Sequence, residues 1–288
     1  MRLAASFFLL AASALGQDTR AILLGSGNPN PEPDRMGPAV AIVSGSRVYL
    51  VDAGIGCVRR AVEAGLQMSQ LTLAFVTHLH SDHTIGLPDL ILTPAVTGRL
   101  EAFRIFGPPG LRDMVTNLLK AYKQDIDMRR HGSEPSVPKG YEVIAHDVKP
   151  GLVYQDETMR VIAFPVNHGA WKYAYGYRFE AKDKTIVISG DTTYSESLIQ
   201  KARNCDILIH EAYSREGWSH RTPEWQRYHA AFHTSGPDLG KLARIVNPGK
   251  LVLYHQLPMD QPPSQLLKEV TSVFPGEVIY GTDLTVIR

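Results

Sequence analysis

Between positions 77 and 84 the chain reads Thr77-His78-Leu79-His80-Ser81-Asp82-His83-Thr84, placing three imidazoles and a carboxylate within six residues, directly after an apolar run that ends at Val76. Nitrogen and oxygen donors without sulfur suit zinc or a similar divalent ion. Extended backbone sends alternate side chains to the same side. His78 and His80 can therefore face one ion together, leaving Asp82 and His83 to turn toward a second. Three more donors follow apolar runs read as strands: His168 after 159–164, Asp191 after 185–189 and His255 after 250–254. Residues at the ends of successive strands can meet at one rim of a sheet, however far apart they lie in the chain.

The elements that must position these donors are short. Apolar or alternating runs at 21–24, 39–43, 47–51, 71–76, 103–106, 141–145, 159–164, 173–180, 185–189, 206–210, 250–254 and 277–280, separated by Gly, Pro and Asn, predict strands. Helical stretches are expected near 58–64, 85–92, 110–124, 195–203, 237–245 and 264–271. Strands interspersed with helices, without a repeat or long linker, predict an α/β layered fold with sheets inside and helices outside. Residues 125–151, with Arg129, Arg130, Pro135, Pro138 and Pro150, read as an irregular insertion or lid.

The 288 residues are 44% hydrophobic and 20% charged, enough apolar material for a large core. A formal charge of +1 argues against a general polyanion binder. Residues 1–16, MRLAASFFLLAASALG, have the charge, apolar core and small-residue end of a secretory signal peptide, too short to span a bilayer. The expectation is a signal peptide at 1–16, a single catalytic domain over 17–288, a periplasmic or secreted location and no stable membrane insertion. Cys57 and Cys205 are the only cysteines and are read as isolated buried thiols rather than a disulfide.

His78, His80, Asp82 and His83 complete the H-x-H-x-D-H motif, and on them the chain resembles the metallo-beta-lactamase superfamily, within it the ribonuclease Z and arylsulfatase-like branch. The likeness runs from Leu23-Leu24-Gly25-Ser26-Gly27 through Ser189-Gly190-Asp191-Thr192 to Tyr254-His255. It implies a four-layer αββα sandwich holding two Zn²⁺ per chain, with manganese or iron as alternatives. The first ion would be held by His78, His80, His168 and Asp191, and the second by Asp82, His83, Asp191 and His255. His210-Glu211-Ala212-Tyr213 and His233-Thr234-Ser235 resemble two further elements of the branch, whose histidine in the second is assigned a catalytic role. His233 is the candidate proton donor, with Glu211 and Asp82 as the other candidate catalytic side chains. His229, four residues before His233, would share its helix face.

Two ions bridged by Asp191 can lower the pKa of a shared water and offset charge on the attacked group, which makes the chain a metal-dependent hydrolase of esters. His168 and Asp191 are only 23 residues apart, where tRNA-processing members of the branch insert a long basic arm. That short spacing disfavours a ribonuclease Z-type 3′ tRNA endonuclease. The expected substrate is a small anionic ester, foremost a phosphodiester. An aryl or alkyl sulfate and a lactone, aided by Tyr213 or Tyr228, are the alternatives, as is a non-enzymatic metal-binding interaction protein. Trp171, Tyr213, Arg129 and His229 are the candidate substrate contacts. Relatives in the branch commonly form homodimers.

Overall fold

A computed structural model describes residues 18–135 and 137–288, so the expected signal peptide lies outside the described residues. Six strands come first: β1 (Arg20–Gly25), β2 (Ala39–Ser44), β3 (Arg47–Val51), β4 (Leu73–Phe75), β5 (Phe103–Gly107) and β6 (Val143–Asp147). Seven follow: β7 (Gly151–Gln155), β8 (Met159–Pro165), β9 (Tyr175–Ala181), β10 (Thr185–Ile188), β11 (Ile207–Tyr213), β12 (Lys250–Leu257) and β13 (Val278–Tyr280). The last strand, β14 (Val286–Ile287), returns to the edge of the first sheet, giving the orders β14-β1-β2-β3-β4-β5-β6 and β13-β12-β11-β10-β9-β8-β7.

Alternation along the strands builds the layers. In β1, Ala21 and Leu23 enter the core between the sheets, while Ile22 and Leu24 face outward under helices. In β11, Ile207 and Ile209 face inward and Leu208 outward. Each such aliphatic side chain contributes about 1.5–3 kcal/mol on burial, so a one-residue slip would be penalised on both faces of a sheet. Cys57–Glu63, Leu87–Thr97 and Leu111–Ala121 cover the first sheet, and Glu196–Ala202, Gly236–Val246 and Pro263–Thr271 the second. The αββα sandwich expected from the resemblance is the observed fold. Cys57 and Cys205 are free, buried and in separate outer layers.

β3 to β6 run parallel, as do β10 to β13. Parallel strands present all their carboxyl ends at one edge, the usual place for a ligand in α/β sheets. The 77–84 segment follows β4 and the 189–193 segment follows β10 at those ends.

Residues 125–151 are not an irregular lid. They hold most of a helix, Lys123–His131, then a turn at Pro138–Tyr141 and strand β6. Charge misled here, because the same charges pair along the helix, Lys123 with Asp127 and Asp125 with Arg129, while Ile126 inserts against Ala95 and Tyr141. The helix expected over 110–124 is broken at Tyr122. Strands β7 and β14 escaped the sequence reading because β7 is largely exposed and β14 is two residues long. Among the described residues, no helix is long and apolar enough to cross a membrane.

Candidate metal centre and active site

After β4 the chain bends at Thr77, is extended at His80 and then makes one helical turn, Ser81–Thr84. This change of backbone separates the motif into two pairs. His78 Nε2 lies 2.9 Å from His80 Nδ1, which lies 3.1 Å from His168 Nε2. Asp82 and His83 point to a second group completed by His255 Nε2, 3.2 Å from Asp82 Oδ2. Asp191 stands between the groups: its Oδ2 is 3.9 Å from His78, 4.0 Å from His168, 3.4 Å from His83 and 3.5 Å from His255. All seven predicted ligands thus meet at one rim.

Two backbone irregularities aim the later donors. Gly190, with φ of 60°, makes the turn that delivers Asp191, and a Cβ there would stand 2.8 Å from the Tyr175 carbonyl. His255 does not follow its strand, as expected, but lies within β12. The pairing passes from Glu211 with Tyr254 to Ala212 with Gln256, leaving His255 as the extra residue of a bulge, with φ of 45°. A bulge re-aims one side chain while the strand continues.

Neighbouring groups set the tautomers of His78, His83 and His168, placing the ring proton on the nitrogen that faces away from the cluster. Asp52 Oδ2 is 2.8 Å from His83 Nδ1, and both its oxygens accept from the Thr77 hydroxyl, which in turn lies 3.0 Å from His78 Nδ1. The Phe232 carbonyl accepts from His168 Nδ1 at 2.8 Å. Burial holds His78 well below the usual imidazole range and brings His80 and His168 down to about 4, so these rings stay neutral with lone pairs available. Burial also works against charge on His83, yet Asp191, Asp52 and Asp82 together push it well above that range. The Asp191 carboxyl, despite burial, is held well below the carboxylate range by His255, His83 and His78.

The donors fit a pair of cations. His83 Nε2, Asp191 Oδ1 and His255 Nδ1 are buried without a hydrogen-bond partner, an arrangement that is costly unless something else satisfies the cluster. Asp52 was missed as a functional residue. Its signal was the Val51-Asp52-Ala53-Gly54 turn, where it adopts φ of 61°. Asp52→Asn preserves the shape and tolerates that backbone. It is expected to weaken metal binding about 10–100-fold, as losing such an orienting carboxylate does; unchanged affinity in a chelator competition would refute the role.

His233 caps the helix Pro223–Phe232, which the sequence reading invoked only through the spacing of His229 and His233. Its Nδ1 lies 3.3 Å from Glu211 Oε2 and 3.9 Å from Asp191 Oδ2, and burial brings its pKa down to about 4. Glu211 is buried inside β11, accepts from the Thr234 amide, and is pushed well above the carboxyl range by burial and by Asp191. His229 is on the last turn of the helix Pro223–Phe232, but His233 lies just beyond it in extended conformation, so the two do not share a helix face as expected; their rings are 5.9 Å apart, and His229 stacks on Trp225. The Trp171 indole N–H meets His80 Nε2 at 2.7 Å. A neutral His80 cannot accept there and hold a cation through Nδ1 at once, so those two states exclude each other. Tyr213 is buried beside Trp218. Arg129 is engaged by Asp125 and Glu134 on and just beyond its own helix, so its charge is already matched.

Residues 47–256 match the family model described as Beta-lactamase superfamily domain. The chain belongs to the beta-lactamase superfamily. Ribonuclease Z of Mycobacterium bovis is 31% identical over 268 residues, covering 91% of this chain and 95% of that protein. The solved metallo-beta-lactamase fold protein YhfI from Bacillus subtilis superposes with a TM-score of 0.72 at 20% identity, over 94% and 99% of the two chains. The short form of human tRNase Z gives 0.70 at 23% identity, over 93% and 98%. This superfamily member is a metal-dependent hydrolase acting on ester bonds. The alignment to the mycobacterial relative leaves no room for a long arm in either protein. The short spacing from His168 to Asp191 therefore does not set this chain apart from proteins of that name.

Proposed function

We propose that the protein hydrolyses small phosphodiesters. The carrying observation is the place of Asp191 Oδ2, within 4.0 Å of nitrogens from both donor groups and 3.9 Å from His233 Nδ1. His78, His80, His168 and Asp191 would hold one cation, and Asp82, His83, His255 and Asp191 the other. Two ions so placed, most simply zinc, supply Lewis acidity and an acidified water. The protein's own groups do the rest. Asp191 holds the donor groups in register, Asp52 keeps His83 and, through Thr77, His78 in the tautomers that bare Nε2, and Glu211 sets His233 from the buried side. His233, which burial keeps unprotonated, is placed to take up a proton from the attacking water and pass it to the leaving oxygen. A phosphodiester is favoured over a sulfate because the mycobacterial relative is named as a ribonuclease.

That name also favours a second reading, cleavage of tRNA precursors at their 3′ side. The near-zero net charge weighs against it, since gripping a long phosphate backbone takes many basic contacts. The discriminating experiment compares bis(p-nitrophenyl) phosphate, p-nitrophenyl sulfate, a lactone and a 3′-extended tRNA, with Asp191→Ala as control. Fastest turnover of the phosphodiester, lost in the variant, is the expected result. Dominant turnover of any other substrate would transfer the assignment to that class, and inactivity on all four with metal bound would leave a binding protein.

A further inference from the structure

Two cavities border the donor cluster. The larger, of about 520 Å³, includes Asp82 and is walled by Pro29, Pro31, Pro33, Ile55 and Ile85. The smaller, of about 460 Å³, includes His233. Both fall in the size range of small-molecule sites. The cavities about Asp156 and about Asp127 include no residue of the cluster. In the larger one Ile55 is 61% and Ile85 59% exposed, two aliphatic side chains left in water around the same hollow as three prolines. Apolar surface gathered in one place marks a ligand groove, where the same residues scattered singly would mean nothing.

The polar side chains around this cavity are engaged with one another. Arg35 bonds Glu32 at 3.3 Å and donates to the Ser26 carbonyl and to Gln256 Oε1. Asn28 donates to the Gln256 carbonyl at 2.8 Å and to Glu32 at 3.1 Å, and its own oxygen accepts from the Asn30 amide and side chain. The prolines and isoleucines are left to meet a ligand. The walls are also fixed before anything binds. Gly27 donates to the Met36 carbonyl at 2.8 Å, closing the neck of the proline loop, and Asp283 accepts from the Ser26 and Met36 amides on either side of it, at 3.0 and 2.8 Å. A Cβ on Gly54 would stand 2.2 Å from the Gly37 carbonyl carbon, and one on Gly86 2.4 Å from the Gly54 carbonyl oxygen. The loop, the turn carrying Ile55 and the segment carrying Ile85 therefore meet through bare backbone. A wall held in this way loses little freedom when a ligand packs on it.

Resting on the phosphodiester reading above, we propose that this cavity binds an uncharged alkyl arm of the substrate, so that the phosphodiester the protein takes carries a chain of several carbons on one side. Asp82 belongs to a donor group and lines the cavity as well, so a phosphoryl group held at that centre has the apolar wall within reach of one of its ester arms. An anionic arm would face Glu32 and Asp82. A cationic arm would find Glu32 already answered by Arg35, and Asp82 committed to His255 and the cluster. A hydroxylated arm would find the hydrogen-bonding groups of Asn28 and Arg35 taken. The smaller cavity differs in kind, with Arg215 and Lys241 in its wall.

The test is a rate series on methyl, butyl and hexyl 4-nitrophenyl phosphate. In each, the oxygen of water bonds to phosphorus as the bond from phosphorus to 4-nitrophenolate breaks, both water protons go to solvent in alkaline buffer, and the alkyl phosphate remains. The value of kcat/KM is expected to rise about twofold for each methylene, about thirtyfold from methyl to hexyl; full burial would give about fourfold per methylene, and this wall is open on one side. The double variant Ile55→Asn with Ile85→Asn is expected to flatten the series, whereas Val62→Asn, at a position 58% exposed but outside the cavity, keeps the slope. A flat series in the parent protein would overturn the proposal, as would a slope that survives the double variant, whether or not Tyr194→Ser in the smaller cavity removes it. Hydrolysis of none of the three by metal-loaded protein would instead defeat the phosphodiester reading. The alkyl site is then judged without turnover, from calorimetric binding of methyl-, butyl- and hexylphosphonate to the metal-loaded protein. Affinity that rises along the series in the parent and is level in the double variant upholds the site; no rise in the parent, or a rise that the double variant keeps, overturns it.

Discussion

Asp191→Asn is expected to lower the hydrolysis of bis(p-nitrophenyl) phosphate by about 10³-fold or more, roughly 4 kcal/mol of transition-state stabilisation, and to reduce the bound metal below two ions per chain. The side chain is 2% exposed and its Oδ2 lies within 4.0 Å of nitrogens from both donor groups. Asparagine occupies the same volume, so the fold is expected to survive, with an unchanged circular dichroism spectrum. What disappears is the negative charge, which now faces five imidazoles and is the common member of two potential ligand sets. An amide oxygen is a far weaker partner for two cations than a carboxylate with four lone-pair sites. The measurements are metal content by atomic emission and rate on the same preparation. Two ions retained at a rate within tenfold of the parent would remove Asp191 from the centre of the mechanism.

The second large effect is at His233. His233→Ala is expected to slow hydrolysis of a dialkyl phosphodiester by about 10²–10⁴-fold, the usual contribution of a positioned acid. It should alter p-nitrophenyl substrates far less, because p-nitrophenolate departs without a proton. This contrast matters because His233 Nδ1 also falls in a group with Asp191 and His255 that could itself hold a cation. Loss of a ligand would slow every substrate alike and lower metal content, whereas loss of an acid steepens the dependence on leaving-group basicity at full metal content. A uniform loss with less metal would therefore reassign His233 from proton donor to ligand.

Much of this architecture is legible locally. The strands at β1 to β3 and at β8 to β12 were readable because their apolar residues run in short stretches bounded by turn formers, and in most of them both faces are buried, so the pattern has little freedom. The seven donor residues were legible for a different reason. Four sit within one short motif, and the other three follow or end strong strand signals. The misses share a cause. The helix Lys123–His131 is polar apart from Ile126 and Met128 and is supported by charge pairs at helical spacing, which composition alone reads as a loop. Arg129 looked free for a ligand because its acidic partners, Asp125 and Glu134, gain meaning only once the helix forms.

By itself, the sequence determined the layered α/β class, the donor chemistry and the family, because apolar periodicity and a dense histidine–aspartate motif are properties of neighbouring residues. Only the tertiary structure decided what joins them. Asp52 orients His83 across 31 positions, and the Phe232 carbonyl orients His168 across 64. A bulge turns His255 inward from within β12, and two cavities open beside the donors, one lined by Asp82 and the other by His233. Contacts of that range depend on which strands lie side by side and on where one residue too many must be accommodated, and no local window of sequence contains either.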